Sequence, residues 1–137
     1  MKIVNKEIPY FADMVFNLKL KGKKNRKRVQ MFTMLQNYYN DVFVAEKNAL
    51  LNEYPERDEE GLPLKESFYV ELEELQNEMF YIEKNEQNKD MLLTMVDVIL
   101  DDDFQMELSG EMAIVFDKWC SECEKVLEFY NQQNESV

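Results

Sequence analysis

Between Gly22 and Pro55 the chain runs thirty-two residues without a glycine or a proline. Across that stretch Met31, Leu35, Tyr38, Val42, Ala45 and Ala49 recur at alternating spacings of four and three. Such a stripe marks one long amphipathic helix, predicted from about Asn25 to Tyr54 and about 44 Å long at the standard helical rise. That is far longer than the average helix, and its stripe has to be covered. Folding back onto a preceding helix through a tight turn would cover it. A coiled-coil homodimer fits the same pattern. Pro55 ends the helix, and the PERDEEGLP segment that follows reads as a loop.

The remaining elements are shorter. Residues 1–4 suit a short edge strand. A first helix is expected from about Lys6 to Lys21, capped by Asn5, with Pro9 in its first turn and Ile8, Phe11, Val15 and Leu18 on one face. Gly22 sits where a helix C′ residue belongs, and Lys19 and Lys21 would complement the negative helix end. Residues from about Leu64 to Glu78 again read as helix, with Phe68, Leu72, Leu75 and Met79 aligned. Met79–Lys84 reads as a strand. Asn88 is a candidate cap for a helix burying Leu92, Val96 and Ile99, which Asp101–Asp103 would stop. Phe104, Met106 and Leu108 alternate with polar residues, the period of a half-buried strand. Ser109 would cap a last helix with core face Phe116, Cys120, Cys123, Leu127 and Tyr130. With 45% apolar residues in 137, the expectation is one acidic, mainly α domain over 1–137 with two or three short strands. Its tail, 131–137, should fray.

Charge is segregated. Residues 1–28 hold nine Lys and Arg against two carboxylates, a net of +7, while the rest of the chain carries −19. The positive charge is concentrated in LKLKGKKNRKR: Lys19, Lys21, Lys23, Lys24, Arg26, Lys27 and Arg28. These seven make a candidate partner-binding turn, and Asp101, Asp102 and Asp103 a candidate acidic cluster. The two clusters stand at the unfavourable ends of their helices, so an internal ion-pair network between them would relieve both. The basic turn has no interleaved aromatic for base stacking, and the acidic body would repel a duplex, so nucleic-acid binding is disfavoured. Conversely, carboxylates on long helices can imitate a phosphate array and occupy a cationic groove, with steered and salt-dependent association.

The chain has no histidine. That removes Ser–His–Asp and Cys–His nucleophiles and His-bound metal sites. Trp119-Cys120-Ser121-Glu122-Cys123 has the spacing of a dithiol redox site. However, it lies inside a predicted helix rather than at a helix N-terminus, and no proline follows. Two thiolates alone make half a zinc site. An EF-hand aligned on Asp101 fails at Met106 and Met112. No catalytic residue, metal or cofactor is therefore expected. Charges scattered through the first sixteen residues give no secretory signal, and no apolar run is long enough to span a bilayer. A cytoplasmic, reduced setting with no membrane partner follows.

Taken together, KIVNKEI, LKLKGKKNRKR, DEEGLP, NKDMLLTMVDVIL and SGEMAIVFDKWCSECE, from Lys2 to about Glu124, resemble a family of small proteins of unknown function. That family is encoded by tailed phages and prophages of Gram-positive bacteria. The resemblance implies a phage product acting in a bacterial host cell, not an enzyme, that works by binding a host or phage protein. One expectation is inhibition of a nucleic-acid-handling or defence protein through the acidic surface. The alternatives are a tail or capsid assembly accessory and weak nucleic-acid binding through the basic turn.

Overall fold

The computed structural model describes residues 1–104 and 106–135, with only the backbone of Glu135. The fold is mainly α with a minor β part. In chain order it comprises β1 (Lys2–Val4), a 3₁₀ turn (Asn5–Glu7), α1 (Ile8–Asn17) and α2 (Gly22–Tyr38). A π-helical segment (Tyr39–Val44) then leads into α3 (Ala45–Asn52), followed by α4 (Glu66–Asn77), β2 (Met79–Tyr81), α5 (Glu86–Leu100) and α6 (Glu111–Glu135). Strands β1 and β2 pair antiparallel, with Ile3 opposite Phe80. The pairing is prolonged at one end by the Met1 ammonium and the Ile82 carbonyl, 2.9 Å apart.

The core lies where α5 packs on both α2 and α6 and α1 packs on α2. Phe11, Met14, Val15, Met31, Leu35, Met91, Leu92, Met95, Trp119 and Val126 are among its fully buried side chains. The Phe11 and Trp119 rings meet edge to face at 5.0 Å, a geometry that adds to simple burial.

The long helix forms, but it is not one α-helix. After Tyr38 the π-helical segment inserts an extra residue into the turn, which rotates everything beyond it by about one position. Met31 and Leu35 are buried and Tyr38 half-buried, as the stripe predicts. Beyond them Val42, Ala45 and Ala49 are exposed and Phe43 is buried instead. Phe43 stacks on Tyr39 at 5.1 Å. As a result α3 has no fully buried residue, and it leaves the main core together with α4.

Side-chain caps explain where α1 ends. It stops at Asn17, four residues before the predicted Lys21. The Arg28 guanidinium donates to the Phe16 carbonyl at 2.6 Å, and the Asn17 amide donates to the carbonyl of Asp13 at 2.8 Å. The Phe16 carbonyl, one of the orphan acceptors of the last turn, is thereby satisfied by a side chain, and Leu18 turns extended. Gly22 does adopt a left-handed φ of 59°, but it opens α2 rather than closing α1. Asn5 is not a helix cap either. It is buried within the 3₁₀ turn.

Further expectations shift. The cap of α5 is Asn85, whose side chain accepts from the Asn88 backbone N–H at 2.8 Å. The segment around Phe104, Met106 and Leu108 forms no strand among its described residues. Its alternation survives as half-burial, with Phe104 stacked on Phe116 at 5.1 Å. Helix α6 starts at Glu111, after Gly110, so Ser109 is not its cap, and its most buried side chains are Trp119, Glu122, Cys123, Val126 and Tyr130, a face rotated off Cys120 and Leu127. Met79 is exposed in β2 and not part of the α4 face. Helix continues to Glu135, through most of the tail predicted to fray; Ser136 and Val137 lie outside the described residues.

Candidate interaction surfaces

The predicted basic turn divides into structural and free cations. Arg28 is structural: beside its bond to Phe16, its Nε donates to Asn25 Oδ1 at 2.9 Å. It therefore neutralises the C-terminal end of α1, the task that the sequence assigned to Lys19 and Lys21. Lys23 sits 3.5 Å from Asp90 on α5, with both side chains well exposed, so the pair contributes little. Lys19, Lys21, Lys24 and Arg26 are exposed, and Lys27 is half-buried. Arg28→Ala should lower stability by about 1–2 kcal/mol in urea unfolding, whereas Lys21→Ala should shift it by no more than about 0.5 kcal/mol.

The acidic cluster is an exposed turn, with Asp101 Oδ1 accepting from the Asp103 N–H at 2.8 Å. No ion pair joins Asp101–Asp103 to Arg26, Lys27 or Arg28 among the described residues. The expected charge network is thus replaced by side chain–carbonyl capping. Members of both clusters, Lys19 and Lys24 with Asp101 and Asp103, instead line one cleft of about 840 Å³.

The Trp119–Cys123 string lies well inside α6. Burial pushes the Cys123 thiol up to about 12, helped by Cys120 and Glu122. Cys120 is raised too, by burial and then by Asp117 and Glu124. Both thiols are held protonated, which opposes nucleophilic and redox use. Glu122 has a structural task. Its Oε1 accepts from the Lys2 backbone N–H at 2.8 Å and its Oε2 from Lys125 Nζ at 2.9 Å, so it covers the free edge of β1. Burial by itself would raise this carboxyl. The bonds from Lys125 and Lys2, with the nearby ammonium charges, outweigh burial and hold it below its ordinary value.

A carboxyl depressed in the folded state stabilises above its unfolded pKa, and the benefit is lost as pH falls through the folded value. Glu122→Gln should therefore cost about 1–2 kcal/mol at neutral pH. Urea titrations should show the gap from the parent protein closing as pH drops below the usual carboxylate range.

The sequence reading missed the most distinctive surface. Residues 45–78 carry eleven carboxylates against three cations, a net of −8 out of −12 for the whole chain. All eleven are exposed. Helix α4 holds four Glu and no cation, so repulsion between Glu71 and Glu74, one turn apart, is relieved by nothing on that helix. Phe68 and Leu75 of α4, and Phe43 just before α3, are buried but lie outside the main core cluster.

The tip of this α3–α4 hairpin is tightly built. Arg57 donates from Nε to the Tyr54 carbonyl at 2.8 Å, from Nη2 to Leu51 at 2.7 Å and from Nη1 to Gly61 at 3.2 Å. Asp58 Oδ1 accepts from the N–H groups of Glu60 and Leu62, at 2.8 and 2.9 Å. Gly61 supplies the left-handed φ of 84° that the turn requires. A local charge count over 45–78 would have found the acidity, but no sequence pattern announces the Arg57 staple.

No family model matches the chain, and neither a curated protein nor a solved structure is found to resemble it. Among the described residues no helix is long and apolar enough to cross a membrane, and no group of three or more Cys, Asp and Glu is placed to hold a metal ion.

Proposed function

We propose that this chain is a non-catalytic protein-binding protein whose acidic α3–α4 hairpin occupies a cationic, nucleic-acid-binding groove on a partner and so inhibits it. The observation that carries this reading is the concentration of −8 in thirty-four residues, all eleven carboxylates exposed. Self-repelling charge of this kind does not stabilise the helix that bears it, and it favours fast, salt-dependent capture of a cationic surface. A phage or prophage origin, with a bacterial host or phage protein as the partner, rests on the resemblance of the five sequence strings. The exposed lysines of the basic turn would serve a secondary contact on an acidic patch of the same partner.

The test is affinity capture from nuclease-treated bacterial lysate. One arm uses the parent chain, and the other a variant with Glu59, Glu60, Glu66, Glu73, Glu74 and Glu78 changed to Gln. That set spares Glu71, which accepts from the Tyr54 hydroxyl, and Asp58, which holds the loop. Proteins retained by the parent, released by added duplex DNA and not retained by the variant would support the reading. Capture of tail or capsid proteins, indifferent to DNA and equal in both arms, would replace it with the assembly role.

A further inference from the structure

The hairpin tip carries more than charge. Leu62 and Leu64 are 48% and 59% exposed, with Pro63 buried between them, and Tyr69 and Val70 on the adjoining turn of α4 are 43% and 53% exposed. The Tyr69 hydroxyl donates to the Pro63 carbonyl at 2.7 Å, which sets its ring against the same end of the hairpin. Antiparallel pairing of Arg57 with Pro63 and the bond from the Leu64 N–H to the Glu56 carbonyl, 3.1 Å, fix the strand-like segment that displays both leucines. Apolar side chains on loops are common. Two leucines held outward by an Arg-stapled turn form a pre-organised plug that would lose little conformational entropy on docking. Glu56, Asp58, Glu59, Glu60 and Glu66 flank it closely along the chain and are all exposed.

We infer that Leu62 and Leu64 are the apolar anchor of the interface, entering a leucine-sized pocket ringed by Lys and Arg on a folded protein partner. This deepens the reading of the acidic hairpin and rests on it. The flanking carboxylates select a cationic rim and reject an anionic membrane surface, while the leucines supply the desolvated centre that charge alone does not. Charge then sets the association rate and the leucines the dissociation rate.

The experiment compares the parent, Leu62→Ser with Leu64→Ser, Arg57→Ala, and the six-Gln variant on the DNA-displaceable protein that the parent captures. Because both leucines are exposed, the double Ser variant should keep the parent's unfolding midpoint. It should bind at least about tenfold more weakly, mostly through faster dissociation, with the parent's salt dependence. Arg57→Ala should lose affinity with both leucines present, because the plug is no longer held. The six-Gln variant should instead flatten the salt dependence. Parental affinity in the double Ser variant would overturn the anchor and leave the acidic hairpin standing. If the parent captures nothing that DNA releases, the hairpin reading falls and the anchor with it. Salt-sensitive self-association in sedimentation, abolished by the double Ser change, would make the occupant a second copy and overturn the assignment to another protein.

Discussion

Asn5→Asp is expected to destabilise the protein by about 2–4 kcal/mol at neutral pH, although it changes one amide to a carboxyl of the same shape. Asn5 is buried at the junction of three elements. Its Nδ2 donates to the Leu75 carbonyl of α4 at 2.8 Å, its Oδ1 accepts from the Tyr38 hydroxyl of α2 at 2.7 Å, and its backbone N–H donates to Glu78 at 2.8 Å. Aspartate keeps the bond from Tyr38 but sets a carboxylate against the Leu75 carbonyl, two acceptors with no proton between them. Burial raises the pKa of such a group, so the penalty is largest above that raised value and shrinks as acid supplies the missing proton. Urea unfolding from neutral to acidic pH checks this, since the gap from the parent should narrow toward low pH. Asn5 is also the polar latch between the α3–α4 hairpin and the core. Amide exchange should therefore accelerate more in α4 than in α5. Equal acceleration in both helices would mean that the hairpin has no separate latch.

The second large effect belongs to Trp119. Trp119→Ala should cost about 3–5 kcal/mol, because it empties the centre of the core and removes the edge contact with Phe11. The indole Nε1, however, is buried with no hydrogen-bond partner, a liability that the parent protein already carries. Trp119→Phe removes that orphaned donor along with some volume, so the two changes oppose each other and the net cost should stay within about 1 kcal/mol. Thermal or urea denaturation of the pair separates the contributions. A Phe variant as unstable as the Ala variant would show that the N–H is satisfied in the native protein, and that packing is less decisive than this core implies.

How far the sequence reveals this molecule depends on the range of the forces involved. Apolar periodicity is local and locates α1, α4 and α5 well, including Ile8, Phe11 and Val15 on one face and Leu92, Val96 and Ile99 on another. It fails where one residue decides phase. The π-helical segment at Tyr39–Val44 moves burial from Val42 to Phe43, and α6 buries Trp119 and Val126 where the spacing favoured Cys120 and Leu127. Polar residues are read least well, because their partners are distant in sequence. Asn5 resembles a helix cap but meets residues 70 and 33 positions away, and Arg28 resembles one cation among seven but closes α1. The basic run is the densest charge in the chain and is legible at a glance. The more isolated charged surface, the hairpin over 45–78, is spread across two helices and a loop, and only folding gathers it.

The central claim is that the acidic hairpin, not the basic turn, makes the principal contact. The most direct measurement is the affinity of the captured partner from roughly 50 to 300 mM salt. It would be made for the parent, the six-Gln hairpin variant, and a variant with Lys19, Lys21, Lys24 and Arg26 changed to Gln, leaving Arg28 to cap α1. The parent and the basic-turn variant should both weaken steeply with salt, and the hairpin variant should start weaker and change little. A hairpin variant that tracks the parent while the basic-turn variant loses binding would contradict the claim.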